Sequence, residues 1–147
     1  MIEPLYLLDT NILLALVRGK QLGSLIDQRY RLSTQRNRPL VCIVSHGELR
    51  VLADLSGWAA PKREALRQAL GQLVTVDIRS HTLVDAYVEI DVFSQKHPQG
   101  SRNMGKNDLW IAAAAMASGA RLLTTDRDFD HLLGHKIDGE WIDPTIR

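Results

Sequence analysis

Residues 5–11 read Leu-Tyr-Leu-Leu-Asp-Thr-Asn, a short apolar run that ends at Asp9. An apolar run of this length without polar alternation is typical of a strand that is buried on both faces, as in a parallel sheet. An aspartate that closes such a strand is costly to bury unless it has a partner. This stretch therefore predicts a parallel sheet with a polar site at the end of its first strand.

Outward from this strand, apolar runs alternate with helical patterns. Runs at 40–44 and 121–125 predict two more buried strands, and the more alternating run at 73–78 predicts a strand at a sheet edge. A helical pattern from Asp108 to Ser118 ends at Gly119, and a short helical turn is predicted around Phe129. The alternation predicts a three-layer α/β/α fold around a central, mostly parallel sheet of four to five strands.

The composition fits one domain that spans residues 1–147. The chain is 45% hydrophobic and 24% charged, which is enough apolar material for a core. Eighteen basic residues against 17 acidic ones leave a net charge of +1, so only a local basic surface could attract nucleic acid. The single cysteine, Cys42, lies in an apolar run and suits a reducing compartment. Without an evident signal peptide or membrane span, we expect a cytoplasmic protein.

Acidic residues from four separate segments are expected to meet at one edge of the sheet. In a parallel sheet with right-handed crossovers, the carboxyl ends of all strands lie together. Asp9 ends the first strand, and Glu48 lies in the first helical turn after the second. Asp126 and Asp128 follow the fourth strand, and Asp108 begins the helix that leads into it. The topology alone therefore predicts an acidic cluster.

Such a cluster favours a divalent cation. Carboxylates that converge repel one another and raise each other's pKa unless a cation is present. Mg²⁺ or Mn²⁺ prefers carboxylate and water oxygens, and it can activate water and neutralise charge on a phosphodiester. His131 and His135 have helical spacing, but Gly134 lies between them, so a structural role is favoured over a zinc site.

Each acid also has an ordinary structural interpretation. Ser45 and Glu48 match a capping box, in which Glu48 would only bond back to the backbone of Ser45. Asp108 suits the first turn of a helix, and the two acids after the fourth strand suit a turn. Asp9 is the hardest to explain in this way, because it closes a fully apolar strand.

Two groups of cations could contact phosphate. For the segment with Arg29, Arg31, Arg36 and Arg38, a solvated surface is slightly favoured over a role in phosphate binding. For the loop that carries Lys96, Arg102 and Lys106 the binding role is preferred, because Lys106 stands two residues before Asp108. Arg102 and Lys106 are thus the predicted RNA contacts.

Four segments together resemble the acidic motifs of the PIN domain family, and most closely those of the VapC-type toxins of bacterial toxin–antitoxin pairs. The resemblance covers nearly the whole chain, and four motifs in this order are more specific than any one of them. The segments are 7–11 (Leu-Leu-Asp-Thr-Asn), 45–49, 107–113 (Asn-Asp-Leu-Trp-Ile-Ala-Ala) and 123–129 (Leu-Thr-Thr-Asp-Arg-Asp-Phe).

The resemblance implies a PIN-like fold and a metal-dependent endoribonuclease that leaves a 5′-phosphate and a 3′-hydroxyl, with transfer RNA as the expected substrate class. The implied cofactor is Mg²⁺, or Mn²⁺ in its place. The implied catalytic and metal-binding residues are Asp9, Glu48, Asp108 and a closing aspartate, for which Asp126 is preferred and Asp128 stays open. Residues that could orient ligands or water are Thr10, Asn11, Ser45 and Thr124. The implied protein partners are a second copy of the chain and an antitoxin whose C-terminal segment covers the acidic site.

Two other functions stay open. A catalytically silent PIN fold could act as a binding module, although the complete acidic set argues against it. A phosphoacceptor or phosphatase domain also places an aspartate at a strand end. Receiver domains usually need an early pair of adjacent acids, and dehalogenase-type enzymes need an aspartate two residues after the first, where this chain has Asn11.

Overall fold

A five-stranded parallel sheet forms the middle layer of the computed structural model, which describes residues 3–146. The order of the strands is β3-β2-β1-β4-β5, and every neighbouring pair is parallel. The strands are β1 (Tyr6–Leu8), β2 (Leu40–Cys42), β3 (Val74–Val76), β4 (Arg121–Thr124) and β5 (Gly139–Trp141). The predicted α/β/α architecture with a parallel sheet is thereby confirmed.

Six α-helices connect these strands, and a 3₁₀ turn at Arg127–Phe129 follows β4. The helices are α1 (Thr10–Arg18), α2 (Gln21–Tyr30), α3 (Ile43–Leu55), α4 (Ala60–Gly71), α5 (His81–Gln95) and α6 (Lys106–Ser118). Within residues 3–146, none of the helices combines the length and the apolar character that crossing a membrane requires.

The two central strands build a core on each face of the sheet, because successive side chains of a strand point to opposite faces. Leu7 and Leu122 are paired in register and lie in the core beneath α5 and α6. Leu8 and Leu123 are paired one residue later and lie in the core beneath α1, α2 and α4. All four leucines are fully buried, which explains why these strands carry no polar alternation.

The expected strands agree with the structure except near the ends. The strand predicted at 40–44 stops at Cys42, because α3 begins directly at Ile43. The strand predicted at 73–78 does lie at an edge, where Val74 is 43% exposed. The predicted helical turn around Phe129 is present. Four strands were predicted from the sequence, and β5 is the fifth; its residues, Gly-Glu-Trp, have no apolar pattern from which a strand could be predicted.

Helices α1 and α2 approach each other at Gly23, and this close packing yields a test. A Cβ atom added to Gly23 would lie 2.4 Å from the carbonyl oxygen of Ala15. We expect Gly23→Ala to destabilise the protein by about 1–3 kcal/mol, because two helix backbones must separate. Chemical denaturation measures the change.

Gly47→Ala is the matched control, because Gly47 also lies within a helix and a Cβ there meets nothing within 4 Å. It should raise the free energy of unfolding by about 0.5–1 kcal/mol, through the better helix propensity of alanine. Equal stability of the two variants would show that Gly23 imposes no steric limit on the packing of α1 and α2.

Candidate active site

Asp9 lies where β1 ends and α1 begins, and it is the N-cap of α1. Its Oδ1 accepts a hydrogen bond from the backbone N–H of Thr10 (2.7 Å). The side chain is only 3% exposed. The helix start therefore supplies both a donor and a favourable dipole to a carboxylate that has left water.

Thr124, the last residue of β4, holds the second oxygen of Asp9. Its hydroxyl donates to Asp9 Oδ2 at 2.6 Å and accepts from the backbone N–H of Asp126 at 2.9 Å. Thr124 is fully buried, and its strand is paired with β1. One hydroxyl thus connects the ends of two neighbouring strands and places the chain that carries Asp126 beside Asp9.

Glu48 is held by Thr10 rather than by the start of its own helix. The Thr10 hydroxyl donates to Glu48 Oε1 at 2.6 Å, and it lies 2.8 Å from Ser45 Oγ. Because Thr10 gives its one hydroxyl proton to Glu48, the hydroxyl of the fully buried Ser45 is the donor to Thr10. The two side chains of α3 are therefore tied to the first residue of α1.

The capping-box interpretation of Ser45 and Glu48 is wrong. Helix α3 begins at Ile43, three residues earlier than that interpretation requires, and its N-cap residue Cys42 makes no side-chain cap bond. Ser45 lies inside the first turn, so its hydroxyl is directed across to Thr10. Tertiary contact with α1, and not local capping, determines where these two side chains point.

Asp108, Asp126 and Asp128 form a tight acidic group. Each offers a carboxylate oxygen within 4.8 Å of the others. Asp126 Oδ1 accepts from the backbone N–H of Asp128 at 2.8 Å, so the 3₁₀ turn holds these two residues in a fixed relation. Asp108 and Asp126 are half-buried, whereas Asp128 is exposed. Both aspartates after β4 therefore reach Asp108.

The five acids lie close enough together that the charges of the other four act on Asp108. Burial, together with the nearby charges of Asp9, Asp126, Glu48 and Asp128, raises the pKa of Asp108 to about 7. Burial also raises the pKa of Asp9 to about 6, against the lowering effect of its hydrogen bonds. Within residues 3–146, none of the five acids forms a salt bridge with lysine or arginine.

The donor set fits a hard divalent cation. All the convergent side-chain ligands are carboxylate oxygens, which Mg²⁺ and Mn²⁺ prefer. Burial and, after it, the charges of the neighbouring acids raise the pKa values of Asp9 and Asp108, so both carboxylates are costly to ionise without a cation. A cation bound here would offset that charge and lower both pKa values.

The other residues singled out from the sequence lie at different distances from this cluster. Lys106 lines an opening together with Glu48, Asn107 and Asp108. Arg102 lies in a larger cavity, which Asp128 also lines. Asn11 is exposed and lines a separate groove with Arg18 and Thr125.

The basic segment at 29–38 lies away from the acids. It ends just before β2, at the amino edge of the sheet, whereas the acids lie at the carboxyl edge. It therefore cannot contact the same phosphate as the acidic cluster.

The cavity beside Asp128 was not predicted from the sequence. Its walls include Phe93, near the end of α5, and His97, which follows the C-cap residue Lys96 of that helix. No motif or spacing connects these residues to the acids. Only the packing of α5 against the segment after β4 brings them together.

The sequence matches the model of the PIN domain family over residues 6–133. The fold is similar to a chain in the crystal structure of VapBC2 from Rickettsia felis bound to a promoter DNA fragment, with a TM-score of 0.76 and 23% identity over 95% of this chain and 99% of that one. It is also similar to a chain of DNA-bound VapBC from Salmonella typhimurium, with a TM-score of 0.67 and 20% identity over 93% and 97% of the two chains. No curated protein matches the sequence.

A third similar structure is VapBC-5 from Mycobacterium tuberculosis, a member of the VapBC family of toxin–antitoxin systems. Its TM-score is 0.65, with 21% identity over 95% of this chain and the whole of that one. At these identities the likeness shows a shared fold. The acidic cluster described above is a property of this chain itself.

The raised pKa of Asp108 yields a test of the site without any substrate. A carboxyl whose pKa rises from 3.8 to about 7 on folding favours the folded state at low pH, and this contribution is lost as the pH rises through that window. In metal-free buffer, Asp108→Asn should therefore stabilise the protein increasingly over wild type as the pH rises from about 5 to about 8. Thermal unfolding with a chelator present measures the difference.

Asp138→Asn is the control, because Asp138 is an exposed acid at the amino end of β5, on the opposite edge of the sheet. It should show no comparable trend. Mg²⁺ or Mn²⁺ should narrow the gap between Asp108→Asn and wild type at the upper end of the range. A gap that stays constant with pH would show that Asp108 is not under electrostatic strain.

Proposed function

Because the chain belongs to the PIN domain family, we propose that it is a Mg²⁺- or Mn²⁺-dependent endoribonuclease and the toxin of a toxin–antitoxin pair. The observation that carries the proposal is the convergence of five acids at the carboxyl edge of the sheet. Nuclease activity is the general chemistry of PIN toxins, and the RNA substrate, with transfer RNA as the first class to test, is the specific part of the proposal.

The residues proposed to hold the cation are Asp9, Glu48, Asp108 and Asp126, with Asp128 as a further ligand. When bound, a divalent ion acidifies a water molecule and offsets the negative charge that develops on the phosphodiester. In the proposed hydrolysis, a water oxygen bonds to phosphorus and the bond from phosphorus to the 3′ oxygen breaks. The products are a 5′-phosphate and a 3′-hydroxyl.

The surrounding hydroxyls are proposed to position these ligands. Thr124 orients Asp9, and Thr10, supported by Ser45, orients Glu48. Such contacts hold acidic side chains in one rotamer, so that little reorganisation is needed when a cation and a phosphate arrive. Within residues 3–146, the side chain of Asn11 makes no hydrogen bond to these acids, so its proposed role is limited to the groove that it lines.

Lys106 is proposed to bind the RNA backbone. It is the exposed first residue of α6, and it lines the same opening as Glu48 and Asp108. A lysine at this point can pair with a phosphate that lies over the acids, and the start of a helix also favours an anion. Arg102 would act from the neighbouring cavity.

The burial of Asp9 favours this function over a phosphoacceptor. Both of its oxygens accept hydrogen bonds, and the side chain is almost inaccessible. A nucleophilic aspartate needs a free, exposed oxygen for in-line attack, whereas a metal ligand can use the remaining lone pairs. The acidic set is also complete, which favours catalysis over a silent binding module.

An antitoxin partner is the second part of the proposal. The similar structures from Rickettsia felis, Salmonella typhimurium and Mycobacterium tuberculosis are all VapBC assemblies. We propose that a cognate antitoxin covers the acidic edge of this chain with its C-terminal segment. Such a pair would act in the cytoplasm, where the RNA substrate is found.

We also propose that the chain forms a homodimer, and a stripe of exposed apolar residues on α5 supports this part of the proposal. Val84, Val88 and Val92 are spaced four residues apart, lie on one helix face and are 39–54% exposed. Val51 and Leu55 form a similar exposed pair on α3, at 57% and 83%. Exposed apolar residues that line up along a helix are typical of a protein interface.

Cleavage of RNA is tested by sequencing RNA 5′ ends after brief expression of wild type and of Asp108→Asn. We expect new 5′-phosphate ends with wild type and a loss of cleavage of at least about 100-fold with Asp108→Asn, because the cation loses a charged ligand. Asp138→Asn should cleave like wild type. Equal cleavage by wild type and Asp108→Asn would remove Asp108 from the active site.

Dimerisation is tested with Val88→Asp, which places a charge in the centre of the stripe on α5. Light scattering coupled to size-exclusion chromatography should show a shift from dimer to monomer, because a buried unpaired carboxylate costs several kcal/mol. Gln68→Asp, on the exposed face of α4, should leave the mass unchanged. A wild-type chain that is monomeric at high concentration would contradict the proposal.

A further inference from the structure

A second binding feature lies next to the acidic cluster. A cavity of about 910 Å³ opens between the end of α5, the segment 97–104 and the turn after β4. Asp128 lines this cavity, and its carboxylate also belongs to the group within 4.8 Å of Asp108 and Asp126. The cavity is therefore contiguous with the acidic cluster through Asp128. Its volume is in the range of sites that bind small organic groups.

Three aromatic rings form one wall of the cavity. Phe93 and His131 are parallel within 5°, with their centroids 6.2 Å apart. His97 stands edge-on to both, at 5.8 Å from Phe93 and 5.7 Å from His131. The rings therefore hold one another in a fixed arrangement of two parallel rings and one at right angles to them, against which another flat group can pack.

The wall is anchored to the same turn that carries the acids. His131 Nε2 lies 2.8 Å from the hydroxyl of Ser94, which is fully buried. Burial lowers the pKa of the His131 imidazole, and the nearby His97 and Arg102 lower it further. Ser94 and His131 thus connect α5 rigidly to the residues after β4.

Polar residues also line the cavity. Arg102, whose side chain is exposed, is one of them, and its backbone N–H donates to the carbonyl of Ser94 at 2.8 Å. The exposed residues Gln99 and Asn103 line the cavity as well. The cavity thus combines aromatic rings, a guanidinium group and two amide side chains, and it shares Asp128 with the acidic cluster.

We propose that this cavity binds the nucleotide of the RNA substrate that lies directly beside the scissile phosphate, and that it makes cleavage selective for the base at that position. The inference rests on the proposed endoribonuclease function. The base would pack against the ring wall, the amides of Gln99 and Asn103 would hydrogen-bond to its edge, and Arg102 would pair with its phosphate.

The combination of these groups favours a nucleotide over a peptide segment. A peptide segment does not require a group of aromatic rings, whereas every nucleobase has a π face that stacks on aromatic side chains. The acidic residue Asp130 in the lining is paired with Arg127 at 3.2 Å, which reduces its repulsion of a phosphate. Because the cavity adjoins the acidic cluster, a nucleotide bound in it would lie next to the phosphodiester bond that is hydrolysed there.

The test uses the purified protein and a pool of single-stranded RNA with randomised sequence. Wild type, His97→Leu and Arg102→Gln cleave the pool in the presence of Mn²⁺, and sequencing gives the base frequencies on both sides of each cut. His81→Leu and Arg79→Gln are matched controls, because these residues lie near the start of α5 and do not line the cavity.

We expect His97→Leu and Arg102→Gln to lower kcat/KM by at least about fivefold and to flatten the base preference at one position beside the cut, which corresponds to the loss of one stacking or phosphate contact. The two controls should keep the wild-type rate and preference. Unchanged base preference in both cavity variants would overturn the proposal, even if cleavage itself is confirmed.

A binding measurement separates this proposal from the proposed function. Asp108→Asn without metal is titrated with adenosine, cytidine, guanosine and uridine 5′-monophosphates, and NMR follows the side-chain amides of Gln99 and Asn103. Shifts with one nucleotide, lost in His97→Leu, would support the cavity even if wild type cleaved no RNA. If the cavity variants instead bind nucleotides normally and lose only an antitoxin peptide, the cavity is a protein-docking site and the proposal fails.

Discussion

The carboxylate of Asp9 is held almost out of solvent, between the end of the central strand β1 and the start of α1. A group in this position keeps its charge only where donors surround it. Thr10 supplies one donor from α1 and Thr124 supplies the other from β4. The ends of the two central strands and the first helix are therefore organised around a single side chain, and the other acids take their places relative to it.

The site is ordered by hydroxyl groups and not by cations. Thr10, Ser45 and Thr124 fix the acids from beneath, and within the described part of the chain no lysine or arginine forms a salt bridge with any of them. These hydrogen bonds orient the carboxylates of Asp9 and Glu48 without cancelling their charge. Burial first, and then the neighbouring carboxylates, raise the pKa values of Asp9 and Asp108. The fold thus holds an electrostatic strain that a bound divalent cation would relieve.

Much of the fold could be predicted, because it depends on local pattern. Leu7 and Leu8 belong to an unbroken apolar run, and such a run has no stable place except a strand covered on both faces. The prediction failed where tertiary contacts overrode local signals. Ser45 and Glu48 match a capping box in sequence. In the structure α3 starts earlier, and both side chains point toward α1 instead. Strand β5 was not predicted because it has no apolar repeat. Its first residue, Gly139, lies so close to the backbone of Leu122 that a side chain would not fit there.

By itself the sequence determined the parallel sheet and the edge on which the acids meet, since alternating strands and helices with right-handed crossovers bring the carboxyl ends of all strands to one edge. Only the tertiary structure decided which atoms touch: that one hydroxyl joins Asp9 to the residues after β4, that both Asp126 and Asp128 reach Asp108, and that Phe93 stands beside them. The physical reason is the separation along the chain over which each kind of interaction acts. Periodicity and topology act through the backbone, whereas contacts between side chains that are distant in the chain depend on how whole layers pack.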